Sequence, residues 1–138
     1  MAQTAGPAQL MRSTWVHVVI AFIAMGGWAV FANRDHGAGV MALVFFVQGA
    51  LSGLITLVMK RGLEWAWRGP FASFPAWPRK LAPPTISCLT IAGVLSLAHT
   101  LADTPEILRT IAVPWSVSTL YAFVYTATLS ATPAGRAE

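Results

Sequence analysis

Four long apolar runs separated by polar breaks constrain this chain more than any other feature. They occupy about 15–32, 38–59, 85–102 and 106–130 of the 138 residues. A helix of ~18 residues, rising about 1.5 Å per residue, reaches roughly 27 Å, close to the ~30 Å hydrocarbon core of a bilayer. In hydrocarbon every backbone N–H and C=O has to be satisfied within the segment, so such runs predict helices. The expected fold is all-α: a polytopic integral membrane protein, an antiparallel four-transmembrane-helix bundle forming a single membrane domain over 1–138. Composition agrees, since 56% of the residues are hydrophobic and 10% charged, where a water-soluble domain carries about 25% charged residues.

The breaks differ in character. Residues 1–12 read as a small polar lead, with Ser13 an N-cap. Asn33, Arg34, Asp35, His36 and Gly37 form a tight turn. Asp103, Thr104, Pro105 and Glu106 form another, in which Thr104 is the expected N-cap, Pro105 the first helical residue and Glu106 a carboxylate favoured by the helix dipole. A kink is expected near Pro114. The connection 60–84 instead holds Trp65, Trp67 and Trp77, five basic residues, and prolines at 70, 75, 78, 83 and 84. It reads as an amphipathic loop lying at the headgroup level. One or two helical turns over 62–67 stop at Pro70, and Pro83 and Pro84 open the third span.

Basic residues set the expected orientation. With 60–84 cytoplasmic, that side holds Arg12, Lys60, Arg61, Arg68, Arg79, Lys80 and Arg136, against Arg34 and Arg109 opposite. The excess favours cytoplasmic N and C termini, in a bacterial inner membrane. Val30, Phe31 and Ala32 also resemble a signal-peptidase site, but the preceding apolar run exceeds the usual 7–15 residues of a cleaved signal, which favours a retained span. The net charge of +4 does not point to nucleic acid, because most of the nine Lys and Arg flank apolar runs rather than forming a separate basic face.

Within the spans, Ala42, Gly49 and Gly53 share a stripe of small residues in GxxxG spacing, expected to pack helices closely. Packing inside the chain's own bundle is favoured over a homodimer surface. Gln48, Ser52 and Thr56 project from one face of the second span, Cys88, Ala92, Ser96 and His99 from the third, and Thr110, Pro114, Ser118, Tyr121 and Tyr125 from the fourth. Facing lipid would leave these groups poorly satisfied. A buried polar seam of Gln48, Ser52, Thr56, Ser96, His99, Ser118, Tyr121 and Tyr125 is therefore expected, with Leu43, Val47, Leu51, Leu54 and Val58 outward. Lys60, Arg61, Arg68, Arg79 and Lys80 are candidate ligands for anionic lipid headgroups.

No catalytic, metal or cofactor site is expected. His17 and His99 fall at opposite ends of the bundle, no second ligand sits at helical spacing, and a histidine alone carries little toward haem or chlorin. Asp103, Glu106 and Arg109, with Arg34, Asp35 and His36, include acid and base groups, but capping, dipole compensation and a Glu106–Arg109 pair explain them. The lone cysteine, Cys88, reads as a small packing residue. The partners expected are the bilayer and its anionic headgroups, another membrane protein, or a second copy. The leading expectation is a non-catalytic subunit or assembly factor of a larger membrane complex. The alternative is a small carrier or flippase for an amphipathic or lipid-linked substrate.

Overall fold

The computed structural model describes residues 14–131. It contains four helices: α1 Thr14–Ala32, α2 Ala38–Arg68, α3 Ala76–Leu101 and α4 Ile107–Ala131. All four are long and apolar enough to cross a membrane, and the fold is an all-α four-helix membrane bundle. The expected lead 1–12, the cap at Ser13, and the charges of Arg12 and Arg136 lie outside the described residues.

The helices pair as two hairpins. α1 packs along α2 and α3 along α4, while α2 also touches α3 and α4, and α1 touches α4. The apolar core is Ile91 and Leu95 of α3 with Ile111 of α4, surrounded by Leu51, Ile55 and Met59 of α2 and by Ile107. Leu51, expected to face outward, thus packs on the core, whereas Leu43, Leu54 and Val58 are exposed and Val47 is half-buried.

Gly49 and Gly53 face α1. A Cβ on Gly49 would stand 3.0 Å from the Phe22 carbonyl oxygen, and one on Gly53 would stand 3.3 Å from Val18. α1 reciprocates at Gly26, where a Cβ would come within 2.8 Å of the Phe45 carbonyl oxygen. Ala42 does not join this seam; it is exposed, because the buried stripe of α2 passes through Val44 and Gln48 instead.

The expected loop 60–84 is mostly helix. α2 runs nine residues past Met59 and stops only at Gly69 and Pro70, where the Gly69 N–H bonds the Trp65 carbonyl at 2.8 Å. Lys60 and Arg61 end the apolar run but offer no reason for the backbone to stop, and Leu63 and Ala66 continue the buried face. α3 likewise begins at Ala76, with Pro83 and Pro84 in its interior. Both rings are buried, and that packing offsets the two lost backbone donors. α4 continues through Pro114, also buried.

The two short turns meet at one end of the bundle. The α3 end is a Schellman closure: the Thr104 N–H reaches the His99 carbonyl at 3.0 Å and the Asp103 N–H the Thr100 carbonyl at 3.2 Å. Asp103 takes the left-handed position, φ 52°, which Asp tolerates better than most residues. The closure turns the Thr104 hydroxyl back onto His99, so Thr104 does not cap α4 as expected.

Candidate functional site

Hydrogen-bonding side chains gather at the short-turn end. His99 Nε2 lies 2.8 Å from Gln48 Oε1 and His99 Nδ1 lies 2.8 Å from Thr104 Oγ1. The Gln48 amide nitrogen donates to Ser52 Oγ at 2.8 Å. Because Gln48 Oε1 only accepts, Nε2 of His99 carries a proton and donates it. Nδ1 shares a hydrogen bond with the Thr104 hydroxyl, which can serve as donor or acceptor. Gln48, His99, Ser52 and Thr104 are all buried, so α2, α3 and the following turn share one chain of satisfied groups.

A second buried set lies beside it. Asn33, just past α1, donates through Nδ2 to the Ala29 carbonyl at 2.9 Å and to Thr110 Oγ1 at 2.7 Å. Its Oδ1 accepts the Glu106 N–H at 3.2 Å. Asn33 thereby supplies an acceptor to the start of α4, the service the sequence assigned to Thr104. Trp28 Nε1 donates to the Arg109 carbonyl at 2.9 Å, and the Glu106 carboxylate lies 3.7 Å from His36 Nε2 rather than pairing with Arg109.

The remaining seam residues do not continue this chain into a path. Thr56 is half-buried and donates to the Ser52 carbonyl, Ser96 is half-buried, and Ser118 is buried. Mid-bundle, Cys88 Sγ meets Thr119 Oγ1 at 3.1 Å and Trp115 Nε1 donates to the Cys88 carbonyl at 3.0 Å. Tyr121 is exposed, contrary to expectation, because the buried stripe of α4 passes through Ser118, Ala122 and Thr126; its ring stacks on Tyr125 at 5.5 Å. Tyr125 is half-buried, and its hydroxyl donates to the Glu64 carboxylate of α2. Among the described residues, the buried Gln48, His99, Ser52, Thr104, Asn33 and Thr110 side chains bond to one another or to nearby carbonyls, whereas Arg79 Nε is buried without a partner.

The empty space lies elsewhere. Between the last half of α2 and the middle of α3 is a cavity of about 500 Å³, lined by residues such as Ile55, Met59, Leu63, Pro83 and Ile91. Leu54, Val58, Ile86 and Val94 stand at its edge and are exposed, so it opens sideways, toward the hydrocarbon in a membrane-embedded bundle. Its only hydroxyls are those of Ser87 and Thr90. Neither Gln48, Ser52, His99 nor Tyr121 reaches it. A small recess adjoins it at the long-turn end, lined by Arg61, Glu64, Trp65, Arg68 and Gly69, with Trp65 common to both.

The five basic candidates divide here. Arg79 stacks over the Trp67 ring at 4.3 Å and donates to the Trp67 carbonyl at 3.1 Å. It closes the C-terminal end of α2 from the start of α3, satisfying a carbonyl the helix itself cannot. Lys60, Arg61, Arg68 and Lys80 are exposed, with the Lys60 ammonium 6.0 Å from the Tyr125 ring centroid. Among the described residues no three His, Cys, Asp or Glu side chains converge as metal ligands would.

The sequence reading missed Asn33, Thr104 and Glu64 as partners. Each sits in a segment read as turn or loop, and the one local signal was an Asn directly following an apolar run. Comparison with known proteins gives no match to any family model, curated protein or solved structure.

Proposed function

We propose that this chain is a non-catalytic membrane protein that takes an amphipathic or lipid-linked molecule sideways from the bilayer into the cleft between α2 and α3. The carrying observation is the laterally open apolar cavity of about 500 Å³, within the ~300–1,000 Å³ typical of small-molecule sites. Binding is the part of the carrier reading that the geometry supports. Of the polar seam, Gln48, Ser52 and His99 bond one another and Tyr125 bonds Glu64, and a group already satisfied gives a crossing headgroup nothing to exchange for water.

Association with another membrane protein keeps one support: little of the described chain lies outside the four helices, whose exposed apolar faces are what those residues offer a partner. Its glycine motive is weaker, because Gly49 and Gly53 are occupied by α1. We further propose a bacterial inner-membrane location with both termini cytoplasmic. The excess of Lys60, Arg61, Arg68, Arg79 and Lys80 at the long-turn end over Arg34 and Arg109 at the other supports it.

The test is photolabelling in vesicles with a phospholipid carrying a diazirine near the end of its acyl chain. Crosslinks should concentrate on Leu54, Val58, Ile86 and Val94. Gly62→Phe, at a position lining the cavity where an added Cβ meets nothing within 4 Å, should remove them while leaving helicity intact. Labelling spread evenly over all lipid-facing residues, or unchanged by Gly62→Phe, would refute the cleft. Recovery in mild detergent as a stoichiometric complex with another protein would favour association instead.

A further inference from the structure

We infer that the cleft selects an anionic, phosphate-bearing lipid, with its acyl chain in the cavity and its phosphate in the recess between Arg61 and Arg68. The inference rests on the cleft reading above and adds to it the class of headgroup.

Residues 61, 64, 65 and 68 are spaced i, i+3, i+4 and i+7, so one face of α2 presents all four. The recess they line with Gly69 sits where the bundle passes from apolar to charged, and Trp65 forms a wall of both recess and cavity. Continuity through a tryptophan is what an amphipathic ligand requires: apolar volume for a tail, then an interfacial aromatic, then cations for a head. A free phosphate would use only the last of these. Arg61 and Arg68 are exposed, and among the described residues neither has a carboxylate within salt-bridge distance. Their planar guanidinium groups suit phosphate oxygens, to which they bond in bidentate fashion. Arg79, by contrast, is held on Trp67, and Lys80 lines neither space.

Glu64 is the opposing charge, and it also lines the recess. The Tyr125 hydroxyl donates to its carboxylate, and Lys60 lies nearby over the Tyr125 ring. Lys60, Arg61 and Arg68 thus outnumber the one carboxylate. Glu64 lowers affinity for any anion and sets how much charge the headgroup must carry to enter.

The experiment uses the full chain in phosphatidylcholine vesicles and two diazirine-tailed probes, phosphatidylglycerol and phosphatidylcholine, identical in their chains. Cleft labelling by phosphatidylglycerol should exceed that by phosphatidylcholine. Each of Arg61→Ala and Arg68→Ala should reduce the preference about fivefold, as expected for one basic residue near a headgroup, whereas Lys80→Ala should leave it in place. Glu64→Gln should increase it, a gain that misfolding cannot imitate. Inorganic phosphate at millimolar concentration should not displace the probe. Equal cleft labelling by both lipids, or indifference to Arg61→Ala, Arg68→Ala and Glu64→Gln, would overturn the headgroup assignment and leave the cleft standing. Absence of cleft labelling by either probe would remove the cleft reading itself. Displacement by inorganic phosphate would overturn the assignment to lipid.

Discussion

His99 shows how a single side chain fixes the relation of two hairpins. Its two ring nitrogens hold Gln48 of α2 and Thr104 of the turn after α3, both at 2.8 Å. Replacing it with Leu would leave a buried carboxamide oxygen and a buried hydroxyl without partners, at a cost of about 1–3 kcal/mol. The interaction itself is worth less, since side-chain hydrogen bonds between membrane helices average about 0.6 kcal/mol and reach about 1.7. A double-mutant cycle of Gln48→Leu and His99→Leu, read by reversible unfolding in mixed micelles, should therefore give a coupling in that range. A coupling of zero would mean that the contact does not hold the hairpins together. Gln48 and His99 were legible as inward-facing because polar groups on apolar helices have few other places to go. That they meet each other, and that Thr104 joins them, was not legible, because it depends on a backbone closure at a non-glycine residue, Asp103.

At the scale of the helix, close approach is decided by which glycine faces the neighbour. Gly26 and Gly27 are adjacent in α1, yet a Cβ on Gly26 would come within 2.8 Å of the Phe45 carbonyl oxygen while one on Gly27 meets nothing within 4 Å. Gly26→Ala should push α1 from α2 and destabilise the fold by about 1–3 kcal/mol, as overpacking does. Gly27→Ala should be neutral or stabilising by up to about 1 kcal/mol, because Ala is the better helix former. Equal losses at both would show that α1 and α2 are not in this register. The spans themselves were readable from apolar length, but their ends were not. Lys60 and Arg61 mark where hydrocarbon gives way to headgroups, whereas α2 ends where Gly69 and Pro70 stop the backbone. The prolines at 83 and 84 misled in the opposite sense, since a proline's local preference for the first turn is overridden once tertiary contacts bury the ring.

Across the whole molecule, the hairpins place both short turns at one end, with Asn33 bonded to Glu106 and Thr110, and residues 69–75 at the other. Four spans then put the two ends in different compartments. In a Cys88→Ala background, single cysteines at the exposed positions Ser73 and Asp103 should react with a membrane-impermeant maleimide from opposite faces of sealed vesicles. Reaction of both from the same face would eliminate the four-span topology. The cleft could not have been found in the sequence, because it is a space between two helices and no residue pattern announces where packing fails to close.

Asn33 and Gln48 belong to the first hairpin and each donates to one partner there, the Ala29 carbonyl and Ser52 Oγ, yet Thr110, His99 and the Glu106 N–H that complete them belong to the second. During synthesis these two amides enter the membrane with their oxygens still unpaired, so the early half is provisional and the late half completes it. Quality control acting on the nascent chain would meet its most vulnerable form in that interval, when a half-answered carboxamide is the mark of unfinished assembly.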